Sequence, residues 1–361
     1  MNNQPISATM MAQRLHAVGD MRYEAIPRPE PAEGQVLVRV AFCGICGSDI
    51  PRTFVKGTYH FPTVIGHEFS GTVEQCGPGV EDLTPGEPVV VFPLIWCGRC
   101  AACEQGRYVQ CQDYDYLGSR SDGGLAEFVV APRQNLIRLP AGVSLAVAAM
   151  TEPAAVALHA LRRAGDVVGQ TVAIFGAGPI GLMVAQWARV MGAAHVLLFD
   201  LVPQKLELAQ TLGFLTFNSR EVEPVKTVEG LTNGEGTHVC IEAAGVPPTY
   251  VQALAAARRG GRVVLLGNPA GAVNLQAELI SQVMRREVTI FGTWNSTYST
   301  YGNDDDWQTV LQALASGQLK LEPLITHRVA LPHAFEALQM MRAQREFYAK
   351  VLIYPERGEL E

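Results

Sequence analysis

The sequence is short of charge and has no long basic run. Charged residues make up 17% of its 361 positions, and the formal net charge is -7. A surface of that sign offers little to a nucleic-acid backbone or an anionic membrane, so neither is an expected partner. Clean apolar runs of bilayer length are missing too. The most apolar window, VSLAVAAMTEPAAVALHAL, is broken by Thr151, Glu152 and Pro153, and reads as a buried segment. The N-terminal stretch MNNQPISATMMAQRLHAVGD lacks the basic and apolar regions of a signal peptide, which points to a cytoplasmic protein. Internal repeats and low-complexity linkers are absent, and the first nine residues read as a loose tail. Cysteine is scarce, with eight in the chain. In a reducing compartment structural disulfides are rare, so clustered cysteines point to metal or catalysis.

What remains is a long chain with an apolar fraction of 48%. That length exceeds one ordinary core and predicts two domains. In the first half, LVRVAF, GTVEQCG, EPVVVFP and AEFVVAP are short β-rich runs between Gly and Pro clusters. From about Ala154 the rhythm becomes strand, glycine turn, helix. TVAIF, HVLLFD, HVCIEAA and RVVLLG are apolar runs of strand length, VTIFG is a further strand, and helical stretches separate them. This pattern predicts an α/β fold with a doubly wound parallel sheet. After about Trp294 the chain is mixed, with helices near Trp307–Ala315 and Pro332–Arg345 and a last strand, KVLIYP. The expected division is 1–154, 155–294 and 295–361.

TVAIF is followed at once by GAGPIG. A strand before this motif and a helix after it are the context that dinucleotide binding requires. Gly176 permits the tight turn, Gly178 lets backbone amides approach a pyrophosphate, and Gly181 lets helix and strand pack closely. Pro179 is tolerated in a first helical turn, where Ile180 follows it. The helix N-terminus offers free amides to an anion. Asp200 ends HVLLFD, nineteen residues after Gly181, where a carboxylate binds a ribose diol and repels a 2′-phosphate. No arginine follows in LVPQKLE, whose Lys205 completes the expected cofactor set. The motif therefore predicts NAD as cofactor, against the bland reading of a non-binding glycine turn with Asp200 as a helix cap.

Half of the cysteines fall in CGRCAACEQGRYVQC, at Cys97, Cys100, Cys103 and Cys111. Tetrahedral zinc needs only a compact loop with four thiolates, and such a closed site is structural. An iron–sulfur cluster stays open as an alternative, although the fourth cysteine is distant and lacks the usual following proline. A second constellation is dispersed: Cys46 in CGICGSD, His67 and Glu68 in GHEFSG, and Glu152 in TEP. Cys, His and carboxylate are zinc ligands of the kind found in open catalytic sites, and Asp49 could orient His67. Singly, each has a bland reading: a buried thiol, a core histidine, a helix cap.

GHEFSGTVEQCGPGV, the cysteine lobe, DGGLAEFVV and IFGAGPIGLMVAQ resemble the zinc-dependent medium-chain dehydrogenase family, over roughly Arg14 to Pro355. Glu152 in EPAAVALHA resembles the polyol and threonine dehydrogenase branch. The resemblance implies a GroES-like β domain built from both ends of the chain, with a Rossmann domain inserted. It implies two zinc ions per chain. Cys46, His67 and Glu152 would hold the catalytic ion, and Glu68 would approach it. Cys97, Cys100, Cys103 and Cys111 would hold the structural one. It places Ser48 beside the substrate oxygen and implies a homodimer or homotetramer. Pro51 stands where many members have a proton-relaying histidine. Arg52 stands where sorbitol dehydrogenases have an aromatic residue, and Asn295 near where they have an arginine. With Lys56 and Arg120, Arg52 is a candidate reader of a substrate phosphate. The implied reaction is NAD-linked oxidation of a polyol or polyol phosphate, such as a hexitol phosphate. Alternatives are an unphosphorylated polyol, L-threonine, or an NAD- and zinc-binding protein without turnover.

Overall fold

A computed structural model describes residues 8–300 and 304–355, and the chain within it folds as two compact units. One unit holds the described residues up to Glu152, together with Thr297–Ala315 and those from Leu321 onward. The other holds Pro153–Ser296 and Ser316–Lys320. The loose tail expected over nine residues lies mostly outside the described residues, and Thr9 already opens the strand Thr9–Ala17.

The first unit is built on a mostly antiparallel sheet of seven strands. Its central strand, Gln35–Gly44, pairs with Glu68–Cys76, with Phe128–Pro132 and with the C-terminal strand Lys350–Tyr354. Alternation explains the pairing: Val36, Val38 and Val40 turn into a core shared with Phe69, Val73, Val129 and Val351. The register puts Gly44 opposite both Glu68 and Leu352. A Cβ on Gly44 would lie 2.4 Å from Glu68 Oε2, so glycine is what lets that carboxylate lie across the sheet. Thus the late strand Lys350–Tyr354 joins two early strands at one place, beside Glu68.

The second unit is a six-stranded parallel sheet. Its order is Leu215–Asn218, His195–Asp200, Thr171–Phe175, Thr237–Glu242, Ala257–Leu265, Thr289–Gly292. The order runs outward in both directions from Thr171–Phe175, which makes the end of that strand the topological switch point where such sheets bind ligands. Phe175, Phe199 and Phe217 stack in a row at 5.2 and 5.1 Å, tying three strands together on one face. The predicted strands are all present. Leu215–Asn218 was not foreseen, because this edge strand reads LTFN with every residue at least partly exposed. The window VSLAVAAMTEPAAVALHAL forms helices Leu145–Ala148 and Thr151–Ala164, and its small apolar residues are largely buried. Among the described residues no helix is long and apolar enough to cross a membrane.

Candidate functional site

Ligand atoms of Cys46, His67 and Glu68 lie within 4.8 Å of one another. Cys46 lies in the turn that follows the strand Gln35–Gly44, and Glu68 begins the strand paired with it. His67 and Glu68 are buried. Glu152, in the first turn of Thr151–Ala164, stands outside that tight group but is buried beside it. Burial raises its carboxyl to about 7, with His67 working in the opposite direction and Glu68 adding to the rise. Burial, followed by Glu68 and Asp49, likewise pushes the Cys46 thiol up.

The opposing charge is small. Lys350 Nζ donates to Glu68 Oε2 at 2.5 Å and to the Ile45 carbonyl at 3.3 Å. Burial works against the Lys350 charge, but Glu68 and Cys46 more than offset it and raise its pKa. Asp49 receives Arg52 Nη1 at 2.5 Å and faces His67 Nδ1 at 3.6 Å. Two thiols, Cys43 and Cys46, and three carboxyls thus share one region with Lys350 and Arg52. A soft-plus-hard donor set that is short of positive charge fits a divalent cation such as zinc.

The cysteine lobe fits one metal ion more directly. All eight cysteines are free thiols, and the sulfurs of Cys97, Cys100, Cys103 and Cys111 lie within 4.8 Å of one another. Cys100 Sγ is 3.5 Å from Cys103 Sγ and 4.0 Å from Cys111 Sγ. With Zn–S of about 2.3 Å, a tetrahedron sets sulfurs roughly 3.8 Å apart. Backbone N–H groups of Gln112 and Cys103 pull the Cys100 thiol down to about 6, while burial pushes Cys103 up to about 12. Trp96 stacks on Tyr108 at 4.2 Å and so anchors the loop.

In the second unit the glycine turn closes as its sequence requires. Gly176 has φ +113, and a Cβ on Gly181 would stand 1.9 Å from the Gly176 carbonyl. Gly178 caps the helix Pro179–Val190 without a side-chain bond, so Ile180 and Gly181 follow in a first turn with free amides. Asp200 Oδ2 accepts the Ala177 N–H at 2.8 Å, and Oδ1 accepts those of Leu201 and Val202 at 2.8 and 2.9 Å. Lys205 Nζ is 3.8 Å from the same carboxylate. Asp200 therefore ties the glycine turn to its own strand end.

The remaining candidates are not gathered into one cluster. Ser48 is exposed at the start of the short helix Asp49–Pro51, and Lys56 is exposed. The Arg120 guanidinium lies between the Tyr59 and Tyr114 rings, 4.4 and 4.2 Å from their centroids. Its Nη1 donates to the Tyr114 carbonyl at 3.1 Å, and its Nε is buried without a hydrogen-bond partner. Asn295 belongs to the second unit, with φ +55 and its Oδ1 accepting from Ser296. Two contributors escaped the sequence reading, Lys350 and Tyr116. Lys350 opens a strand that was foreseen, but its partner is 282 positions away. The Tyr116 hydroxyl is 3.4 Å from Glu152 Oε1, and no short motif marks it.

Comparison with known proteins agrees with this geometry. The alcohol dehydrogenase GroES-like domain matches residues 32–141, and the zinc-binding dehydrogenase domain matches residues 179–316. Galactitol 1-phosphate 5-dehydrogenase of Escherichia coli (strain K12) is 37% identical over 324 residues, 90% of this chain and 93% of that protein. Sorbitol dehydrogenase of Bacillus subtilis (strain 168) is 31% identical over 360 residues, 98% of this chain and 99% of that one. A crystal structure from Sinorhizobium meliloti 1021, bound to NADP, superposes with a TM-score of 0.89 at 32% identity, covering 97% of this chain and 100% of that one. The chain belongs to the zinc-dependent alcohol and polyol dehydrogenases, and is an oxidoreductase with a GroES-like and a Rossmann-type part.

Proposed function

We propose that this enzyme oxidises a secondary alcohol of a hexitol phosphate such as galactitol 1-phosphate, passing the hydride to NAD+ and releasing a ketose phosphate. Cys46 and His67, whose ligand atoms gather with that of Glu68, would hold the catalytic zinc together with Glu152, and Glu68 is neutralised by Lys350. When bound, zinc supplies a Lewis acid that acidifies an alcohol oxygen. Ser48 takes the alcohol proton and, being exposed, passes it to water without the relay histidine that Pro51 replaces. Gly176, Gly178, Pro179, Ile180, Gly181, Asp200 and Lys205 would hold the cofactor, and the Asp200 carboxylate would repel a 2′-phosphate, hence NAD rather than NADP. The four-cysteine lobe would hold a second, structural zinc. The division between the β-rich part and the cofactor part is proposed to follow the two compact units. The cellular setting in keeping with this chemistry is the cytoplasm.

The observation that carries the phosphate is Arg120. Its planar cation is held between two tyrosine rings, a seat from which a guanidinium can pair with an oxyanion. Arg52, Lys56 and Asn295 are the further substrate-side candidates. A second reading, oxidation of an unphosphorylated polyol, is favoured by Arg52, whose Nη1 is already engaged by Asp49. The test is kcat/KM with NAD+ for galactitol 1-phosphate, free galactitol, sorbitol and L-threonine, in wild type and in Arg120→Ala. Losing one charged contact costs about 1.5–3 kcal/mol, or roughly ten- to a hundredfold, on the phosphorylated substrate alone. A wild type that prefers a free polyol or L-threonine removes the phosphate. A wild type inert towards all four would leave another alcohol as substrate, or a protein that binds NAD and zinc without turnover.

A further inference from the structure

Tyr116 stands at the metal site, yet no motif assigns it a role. It ends the short strand Asp115–Tyr116, in register with Leu94 across the pair. That pair is fixed on both sides. Asn135, fully buried, donates through Nδ2 to the carbonyls of Phe92 and Leu94, each at 2.8 Å. The Leu117 N–H donates to the Pro93 carbonyl at 2.9 Å. Beyond Tyr116 the chain packs backbone to backbone against the loop that carries His67. A Cβ on Gly118 or Gly123 would come within 2.3 or 2.1 Å of the Gly66 carbonyl, so this approach needs glycine at both positions. The Gly124 N–H donates to the same carbonyl at 2.8 Å. A rigid seat of this kind fixes where the ring points.

It points at two candidate ligands. The Tyr116 hydroxyl donates to Glu152 Oε1 at 3.4 Å. Its ring meets that of His67 at a tilt of 62°, with centroids 5.8 Å apart. We infer that Tyr116 is a positioning residue for the metal: its hydroxyl holds one oxygen of Glu152 and leaves the other to coordinate, while its ring limits the swing of His67. Outer partners of this kind typically change metal affinity by about 10- to 100-fold. At 3.4 Å the bond is long, so the lower end of that range, roughly tenfold, is expected here.

The inference rests on the reading of Cys46, His67 and Glu152 as holders of one zinc. Its test is zinc affinity, measured by competition with a chromophoric chelator, in wild type, Tyr116→Phe, Glu152→Ala and the double variant. Cys46→Ser marks which equivalent of zinc belongs to this site. Phenylalanine keeps the ring and its packing, so a purely structural role predicts no change. The expected result is an affinity about tenfold weaker in Tyr116→Phe, with less than a twofold further loss when the change is made in Glu152→Ala. An unchanged affinity in Tyr116→Phe overturns the inference. So does an equal loss in both backgrounds, because the hydroxyl would then not act through Glu152. A wild type that takes up no zinc marked by Cys46→Ser overturns the reading of the site itself, and the inference with it.

Discussion

Lys350 and Glu68 are almost without exposure, at 3% and 1%, and each is the other's counter-charge. Removing one member of such a pair leaves a bare charge in the interior, which costs about 3–5 kcal/mol. Lys350→Met should therefore lower the stability of metal-free protein to denaturant by about that much. A loss below about 1 kcal/mol would show the pair to be hydrated and unimportant. Asp200 makes a different kind of case. It is both an anchor for the Ala177 amide and the expected partner of a ribose diol. Asp200→Ala should weaken NAD binding roughly ten- to a hundredfold and narrow the gap to NADP, read from dissociation constants for both cofactors. A wild type that prefers NADP would contradict the assignment. These two residues also mark what a sequence can convey. Asp200 follows a strand at a fixed distance from a glycine turn, so its place is written locally. Lys350 acts through the register of strands at opposite ends of the chain, and nothing near it signals a carboxylate.

Elements were legible where their pattern was complete. The buried parallel strands read as unbroken apolar runs, and the glycine turn announced the helix after it. Leu215–Asn218 was missed because an edge strand need not be apolar on both faces. The close contact at Gly181 gives a direct check on the turn. Gly181→Ala sets a methyl 1.9 Å from the Gly176 carbonyl, so strand and helix must part. The variant should lose about 1–3 kcal/mol of stability and bind NAD more weakly, measured by thermal shift with and without cofactor. The strand Thr237–Glu242 carries a pH dependence of its own. His238 is partly buried, with Arg258 Nη1 2.7 Å from its Nε2 and Arg262 nearby. Burial, then Arg258 and Arg262, hold its pKa below the ordinary value of 6.5, with Glu235 opposing them. The neutral ring therefore contributes stability that is present above about 6.5 and is lost as the pH falls through the depressed folded value. His238→Gln should flatten the fall in Tm between pH 7.5 and acid. An unchanged pH profile would show that His238 stays hydrated.

At the scale of the whole molecule, two kinds of core are strung on one chain, and the C-terminal strand returns to complete the first. That return was legible only through the family resemblance, because no local signal says which sheet a late strand will join. A homodimer or homotetramer, which the family resemblance implies, would find an open strand edge in the second unit. The edge strand Thr289–Gly292 leaves Ile290 45% exposed, and the helix Ala277–Arg285 leaves Met284 72% exposed. An open strand edge invites pairing with a second copy. Ile290→Lys should shift the sedimentation profile toward monomer, whereas a wild type that sediments as a monomer would remove the pairing. The proposed arrangement is one chain with two metal sites of different purpose, one that shapes a loop and one that turns over substrate. Its most direct test is zinc per chain, by elemental analysis, in wild type, Cys46→Ser and Cys103→Ser, each assayed for hydride transfer from polyols to NAD+. The expected result is two, one and one equivalents. Cys46→Ser should stay folded and bind NAD but not turn over, while Cys103→Ser loses stability first. A wild type with fewer than two zinc ions, or an active Cys46→Ser that keeps both, would contradict it.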